Sequence, residues 1–157
     1  MMKQSQPHPE KVPYPIVRPR PGLGIRFVSM SRSIFGIDTH YGGGRTYYCP
    51  GRIDCESCKK GHLQRYQGYL MGCHSENGTV AVVHLTAGAA EIISKLETGD
   101  RGLVGLKCVL LRSGQLDNGA VEVQPYGWTT DVQEFPQEEF EKLIHSIYRI
   151  QLIPKPR

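Results

Sequence analysis

The chain has few of the features that would mark a membrane or a nucleotide-hydrolysing protein. No apolar run approaches the ~20 residues a membrane-spanning helix needs. The opening Met1-Met2-Lys3-Gln4-Ser5-Gln6-Pro7 lacks the apolar centre of a signal peptide. The segment Gly42-Gly43-Gly44-Arg45 lacks the Gly-Lys-Ser/Thr ending of a phosphate-binding loop. His40 is followed by Tyr41-Gly42, so the His-x-Glu of the zinc deaminases is missing too. Acidic residues are scarce where the cysteines gather, with only Asp54 and Glu56 available as a general base. These absences argue against an enzyme. No internal repeat is visible.

What is present is one cysteine cluster. Cys55-Glu56-Ser57-Cys58-Lys59-Lys60-Gly61 has the form of a zinc knuckle, and Cys49 and His40 lie just upstream. Two thiolates three residues apart can face one ion as the chain turns, and a glycine after them relieves the turn. A structural zinc takes four N or S ligands, and three Cys with one His is a common set. The expected ligands are therefore His40, Cys49, Cys55 and Cys58 around one structural Zn²⁺. Competing fourth ligands are His62, Cys73 and His74. An iron centre would want a fourth thiolate. A redox dithiol at Cys55 and Cys58 would need a strand before the pair and a helix starting at it, whereas the flanks are Gly51 and Gly61 with lysines between. Cys108 lies in the apolar run Leu106 to Leu111 and reads as a core residue. Five cysteines used this way point to a reducing compartment, so the cytoplasm is the expected location.

The 157 residues suit one domain with tails. Residues 1–22 hold six prolines with Lys11, Arg18 and Arg20, and read as a disordered basic arm. A single domain is expected over 23–150, with the metal loop at 40–61, and a basic tail over 151–157. Within the domain, alternation predicts strands at 24–33, 45–49, 62–74, 79–85, 101–112 and 120–126. Residues 39–44 read as a turn. On the long strand, Leu63, Arg65, Gln67, Tyr69 and Met71 share one face. Asn77-Gly78 signals a hairpin. Thr86 resembles a helix N-cap for 87–97, and 136–149 reads as an amphipathic helix with Phe140, Leu143, Ile144 and Ile147 on its apolar face.

The order of these elements is that of a mainly β protein of β+α type, an oligonucleotide-binding (OB)-like five-stranded barrel. It would carry a zinc-knuckle insertion between its first two strands and a C-terminal helix. On such a barrel a ligand crosses strands two and three beside the first loop. Net charge is +4, but residues 1–70 hold 11 Lys/Arg against 4 Asp/Glu, and residues 71–157 hold 8 against 11. The basic half carries the cysteines. Arg45, Tyr47, Tyr48, Arg52, Lys59, Lys60, Arg65, Tyr66 and Tyr69 mix cations for phosphates with rings for base stacking, the combination single-strand binders use. About half of the tyrosines are expected in the core.

His40, Cys49 and Cys55-x2-Cys58 in this element order resemble the zinc-containing single-stranded-DNA-binding proteins of large phages. The resemblance covers about residues 40–126 and rests on ligand types and order. It implies binding of single-stranded nucleic acid, DNA before RNA, in replication, recombination or mobile-element processes. The C-terminal Pro154-Lys155-Pro156-Arg157 departs from the acidic tail of those proteins. The rival expectation is a zinc-stabilised protein–protein adaptor, in which the apolar stripe of the last helix would be partly exposed.

Overall fold

The computed structural model describes residues 13–42, 44–114 and 119–148. Residues 1–12 of the expected arm and the tail 151–157 lie outside them. The chain is mainly β with a few helices. In order, the elements are β1 (Ile16–Val17), β2 (Ile25–Ser29), β3 (Phe35–Gly42), β4 (Arg45–Tyr48), α1 (Glu56–Lys59), β5 (Arg65–His74), β6 (Val80–Leu85), α2 (Ala87–Ser94), β7 (Leu106–Arg112), β8 (Val121–Trp128) and α3 (Gln137–Ile147).

Among the described residues all eight strands belong to one mixed sheet, with the path β1-β6-β5-β2-β7-β8. The strand β3 continues from β2 past a break and pairs with the first half of β5, while β4 folds back on β3. The path ends on β1 and β8 and does not close, so the pairing gives an open eight-stranded sheet in place of the expected OB-like five-stranded barrel. Two differences account for this. The first predicted strand is broken at 30–34, and the proline-rich segment supplies an extra strand.

That segment corrects the expected arm, because structure begins ahead of Gly24. Ile16 and Val17 pair parallel with Val82 and Val83, and the Val82 N–H donates to the Pro15 carbonyl at 2.8 Å. Proline lacks a donor but is tolerated on an edge strand, where its carbonyl still bonds. Ile16 and Val17 are also apolar enough to pack, one against each of the two core clusters.

Those clusters lie on opposite faces of the sheet. One gathers Phe27, Leu70, Val83, Leu85, Leu106, Cys108 and Leu110 with Ala89, Ala90 and Ile93 of α2. Thr86 caps α2, its Oγ1 accepting from the Ala89 N–H at 3.2 Å. The other cluster gathers Ile37, Tyr69, Met71 and Val82 under Phe135 and the α3 residues Phe140, Leu143, Ile144 and Ile147. The apolar stripe of α3 is thus buried, not partly exposed. Its polar face carries Glu138 and Glu139 in the first turn, where carboxylates favour the helix dipole. Because β5 is covered on both faces from Gly68 to Gly72, its middle cannot offer a ligand surface.

Among the described residues, no helix is long and apolar enough to cross a membrane.

Candidate metal centre

The metal loop hangs from one end of the sheet. The strands β3 and β4 form a hairpin with His40 opposite Tyr47 and Tyr41 opposite Thr46. His40 therefore sits on a strand, not in the turn expected from the glycines after it. Burial on β3 falls on Ile37, Thr39 and His40, and His40 is 1% exposed. Cys49 follows β4 directly, and its N–H donates to the Asp38 carbonyl at 2.9 Å. The chain then turns through Gly51, at φ +112°, and enters the single-turn helix α1, with Cys55 at its N-cap and Cys58 within it. Gly61 leaves that helix at φ +80°, a conformation costly for any residue with a Cβ. Its N–H bonds the Cys58 carbonyl rather than a sulfur.

These turns bring His40, Cys49, Cys55 and Cys58 together, with all four ligand atoms within 4.8 Å of one another. The His40 Nε2 lies 3.4 Å from both Cys55 Sγ and Cys58 Sγ, and Cys49 Sγ lies 3.6 Å from Cys58 Sγ. In a tetrahedron with metal–sulfur bonds of ~2.3 Å and a metal–nitrogen bond of ~2.0 Å, S···S edges are ~3.8 Å and S···N edges ~3.5 Å. A disulfide would need ~2.05 Å. The spacing thus suits four ligands around one ion and leaves the three thiols unbridged. The competitors are elsewhere. His62 is exposed, and Cys73 and His74 lie at the other end of β5. Nine residue steps of ~3.3 Å put that end about 30 Å away.

The surroundings prepare the ligands. The Leu63 carbonyl accepts a hydrogen bond from His40 Nδ1 at 2.8 Å. A carbonyl cannot donate, so Nδ1 carries the proton and Nε2 presents its lone pair to the cluster. The Gln64 amide donates to Cys49 Sγ at 3.2 Å. Burial pushes the Cys49 thiol up, but donors from Gln64, the Gly51 backbone and the neighbouring thiols outweigh it and hold it at about 6. Burial, then the neighbouring Cys49 and Cys55 sulfurs, push Cys58 up to about 11. A negative sulfur at Cys49 thus opposes one at Cys58, and a cation between them would relieve that opposition. Leu63 and Gln64 were not legible as site residues, because nothing in a Leu-Gln pair marks a carbonyl or an amide that the fold aims at a ligand.

The residues expected to meet nucleic acid separate into two groups. Arg45, Tyr48, Arg52, Lys59, Lys60 and Arg65 are exposed on the hairpin, the loop and the first residue of β5. Exposed Tyr41 joins them, its ring 6.0 Å from the Arg65 guanidinium. The other three tyrosines do different work. Tyr69 is 3% exposed beneath α3 and hydrogen-bonds Tyr148, so it is core. Tyr47 donates or accepts at Ser57 Oγ at 2.8 Å and lays its ring 5.9 Å from His40, bracing the loop. Tyr66 lies across Gly36 and Gly68, where a Cβ would collide with its ring, and faces a groove lined by Glu91 and Glu97. No Lys or Arg is among the residues lining that groove, so nothing there is placed to meet a phosphate.

No family model, curated protein or solved structure matches this chain.

Proposed function

We propose that this protein binds single-stranded nucleic acid, DNA in preference to RNA, through a loop held by one structural zinc. The observation that carries the reading is the crowd of cations and rings on the metal-closed segment. Between His40 and Tyr66 there are five Lys/Arg and two Asp/Glu. Arg45, Arg52, Lys59, Lys60 and Arg65 are all exposed, with Tyr41 and Tyr48 at 46% and 41% exposure among them. Lys59 has a carboxylate nearby, Glu56 at 3.5 Å, but both groups are exposed and the pair is weak. Zinc suits three thiolates and an imidazole in a closed tetrahedron, where it organises the chain and leaves no open position for catalysis. Ordering the loop in advance removes an entropy cost that binding would otherwise carry.

The strand order β6-β5-β2-β7-β8 with α2 between β6 and β7 supports an OB-like reading of the core, opened and extended by β1, β3 and β4. Ligand contact then belongs to the metal loop, since α3 covers the β5 and β6 face.

A salt titration with a single-stranded oligonucleotide tests the proposal. Affinity should fall by about 0.7 log units per log unit of salt for each phosphate contact. Lys59→Ala with Lys60→Ala should flatten that slope. Tyr48→Ala should weaken binding with the slope unchanged, because stacking releases no counterions. Equal, salt-independent behaviour of all three proteins would sink the reading. A zinc-stapled adaptor then takes its place, and one observation favours it. Ile53 and Leu63, at 85% and 73% exposure, stand out from the loop as apolar contacts for a protein partner.

A further inference from the structure

A second cationic site lies at the opposite end of β5 from the metal loop. The β7–β8 ladder carries a bulge there. Lys107 pairs with Gly127 and Cys108 with Pro125, leaving Tyr126 as the extra residue. Bulges re-aim side chains, and here the Tyr126 ring stands 40% exposed over the sheet. Arg26 from β2 and Lys107 from β7 both bear on it. The Arg26 guanidinium carbon is 5.0 Å and Lys107 Nζ 5.3 Å from the ring centroid. Among the described residues, neither cation has a carboxylate at salt-bridge distance. Ser75 Oγ is 3.1 Å from the Tyr126 hydroxyl and anchors its tip. Beside the three residues runs a groove of about 600 Å³, with Val28, Val132, Glu76 and Asp131 on its lining. That volume falls in the range of small-molecule sites.

We infer that this groove binds a nucleoside phosphate. Two cations from adjacent strands, held over one ring, form a fixed anion site, and fixing them lowers the entropy lost on binding. A purely inorganic anion would leave the apolar lining unused. A base covers Val28 and Val132, and the Glu76 and Asp131 carboxylates accept from exocyclic amino groups. The ligand is either a free nucleotide or one unit of a nucleic-acid strand. The inference rests on residues outside the metal loop, and each reading can fail without the other.

The test is an NMR titration of the full-length protein with AMP, adenosine and a short single-stranded oligonucleotide. Saturable AMP shifts should map to Arg26, Lys107 and Tyr126, and adenosine should bind at least tenfold more weakly. Arg26→Ala with Lys107→Ala should cost AMP tenfold or more, while Lys107→Arg largely retains it. All three side chains are at least partly exposed, so an unchanged amide spectrum and melting temperature will show the fold intact. Displacement of AMP by the oligonucleotide identifies a strand unit as the ligand, and lack of displacement identifies a free nucleotide. Absence of saturable shifts at the three residues overturns the inference, as does adenosine binding as tightly as AMP. A flattened oligonucleotide salt slope in the Lys59→Ala, Lys60→Ala protein with AMP binding intact separates the two sites.

Discussion

His40 and His84 show how one residue type takes two roles from its neighbours. His40 gives its Nδ1 proton to a carbonyl and turns Nε2 to three sulfurs. Its removal should therefore cost metal. We expect His40→Ala and Cys55→Ser to lower zinc content, measured by elemental analysis of purified protein, while Cys73→Ser leaves it unchanged. His84 is buried and hydrogen-bonded to Gln67. Burial lowers its pKa to about 4, with the positive charges of Arg18 and Arg112 adding to the effect. The unfolded chain, near 6.5, then binds the extra proton first as pH falls. Its contribution is present in full above pH 6.5 and is lost as pH drops toward 4. The full effect is on the order of 3 kcal/mol. Urea denaturation at pH 7 and pH 5 should show a smaller pH-dependent loss in His84→Gln than in the wild type.

At the scale of elements, β1 and α3 decide how the sheet is finished. The strand β1 has only two residues, yet Ile16 and Val17 are half-buried against both core clusters. Partial burial of two such side chains is worth roughly 2–3 kcal/mol. Deleting residues 1–22 should lower the urea midpoint measurably. An unchanged midpoint would show that β1 contributes nothing. The helix α3 buries Phe140 fully. Phe140→Ala should cost about 3–5 kcal/mol through lost contact and the cavity left behind, read from the same denaturation curves.

Across the whole molecule, the metal cluster stands apart from the two apolar cores, since none of its four ligands belongs to either. Chelation should therefore act locally first. Hydrogen exchange followed by mass spectrometry should show residues 40–64 losing protection on treatment with a chelator, while peptides from β6 and β7 keep theirs. Simultaneous loss everywhere would mean that the ion supports the entire fold, as it does in the smallest zinc modules.

Local chemistry in the sequence determined much of this protein. The gathering of His40, Cys49, Cys55 and Cys58 could be read because thiols and imidazoles at knuckle spacing have few other uses. The strands β5 to β8, the Asn-Gly turn, the Thr86 cap and the apolar stripe of α3 could be read because each depends on neighbours within a few positions. Only the tertiary structure decided the rest. Alternation put Tyr69 and Arg65 on one face of β5 but could not say that α3 would cover Tyr69 and leave Arg65 in water. The glycines after Tyr41 suggested a turn around His40, whereas pairing with β4 made His40 part of a strand. Proline density suggested a free arm, yet an open edge on β6 gave Pro15 a use for its carbonyl. The Tyr126 groove rests on a bulge that no single strand announces. In every such case the deciding contact joins residues far apart in the chain, where one strand's own pattern carries no information about its partner.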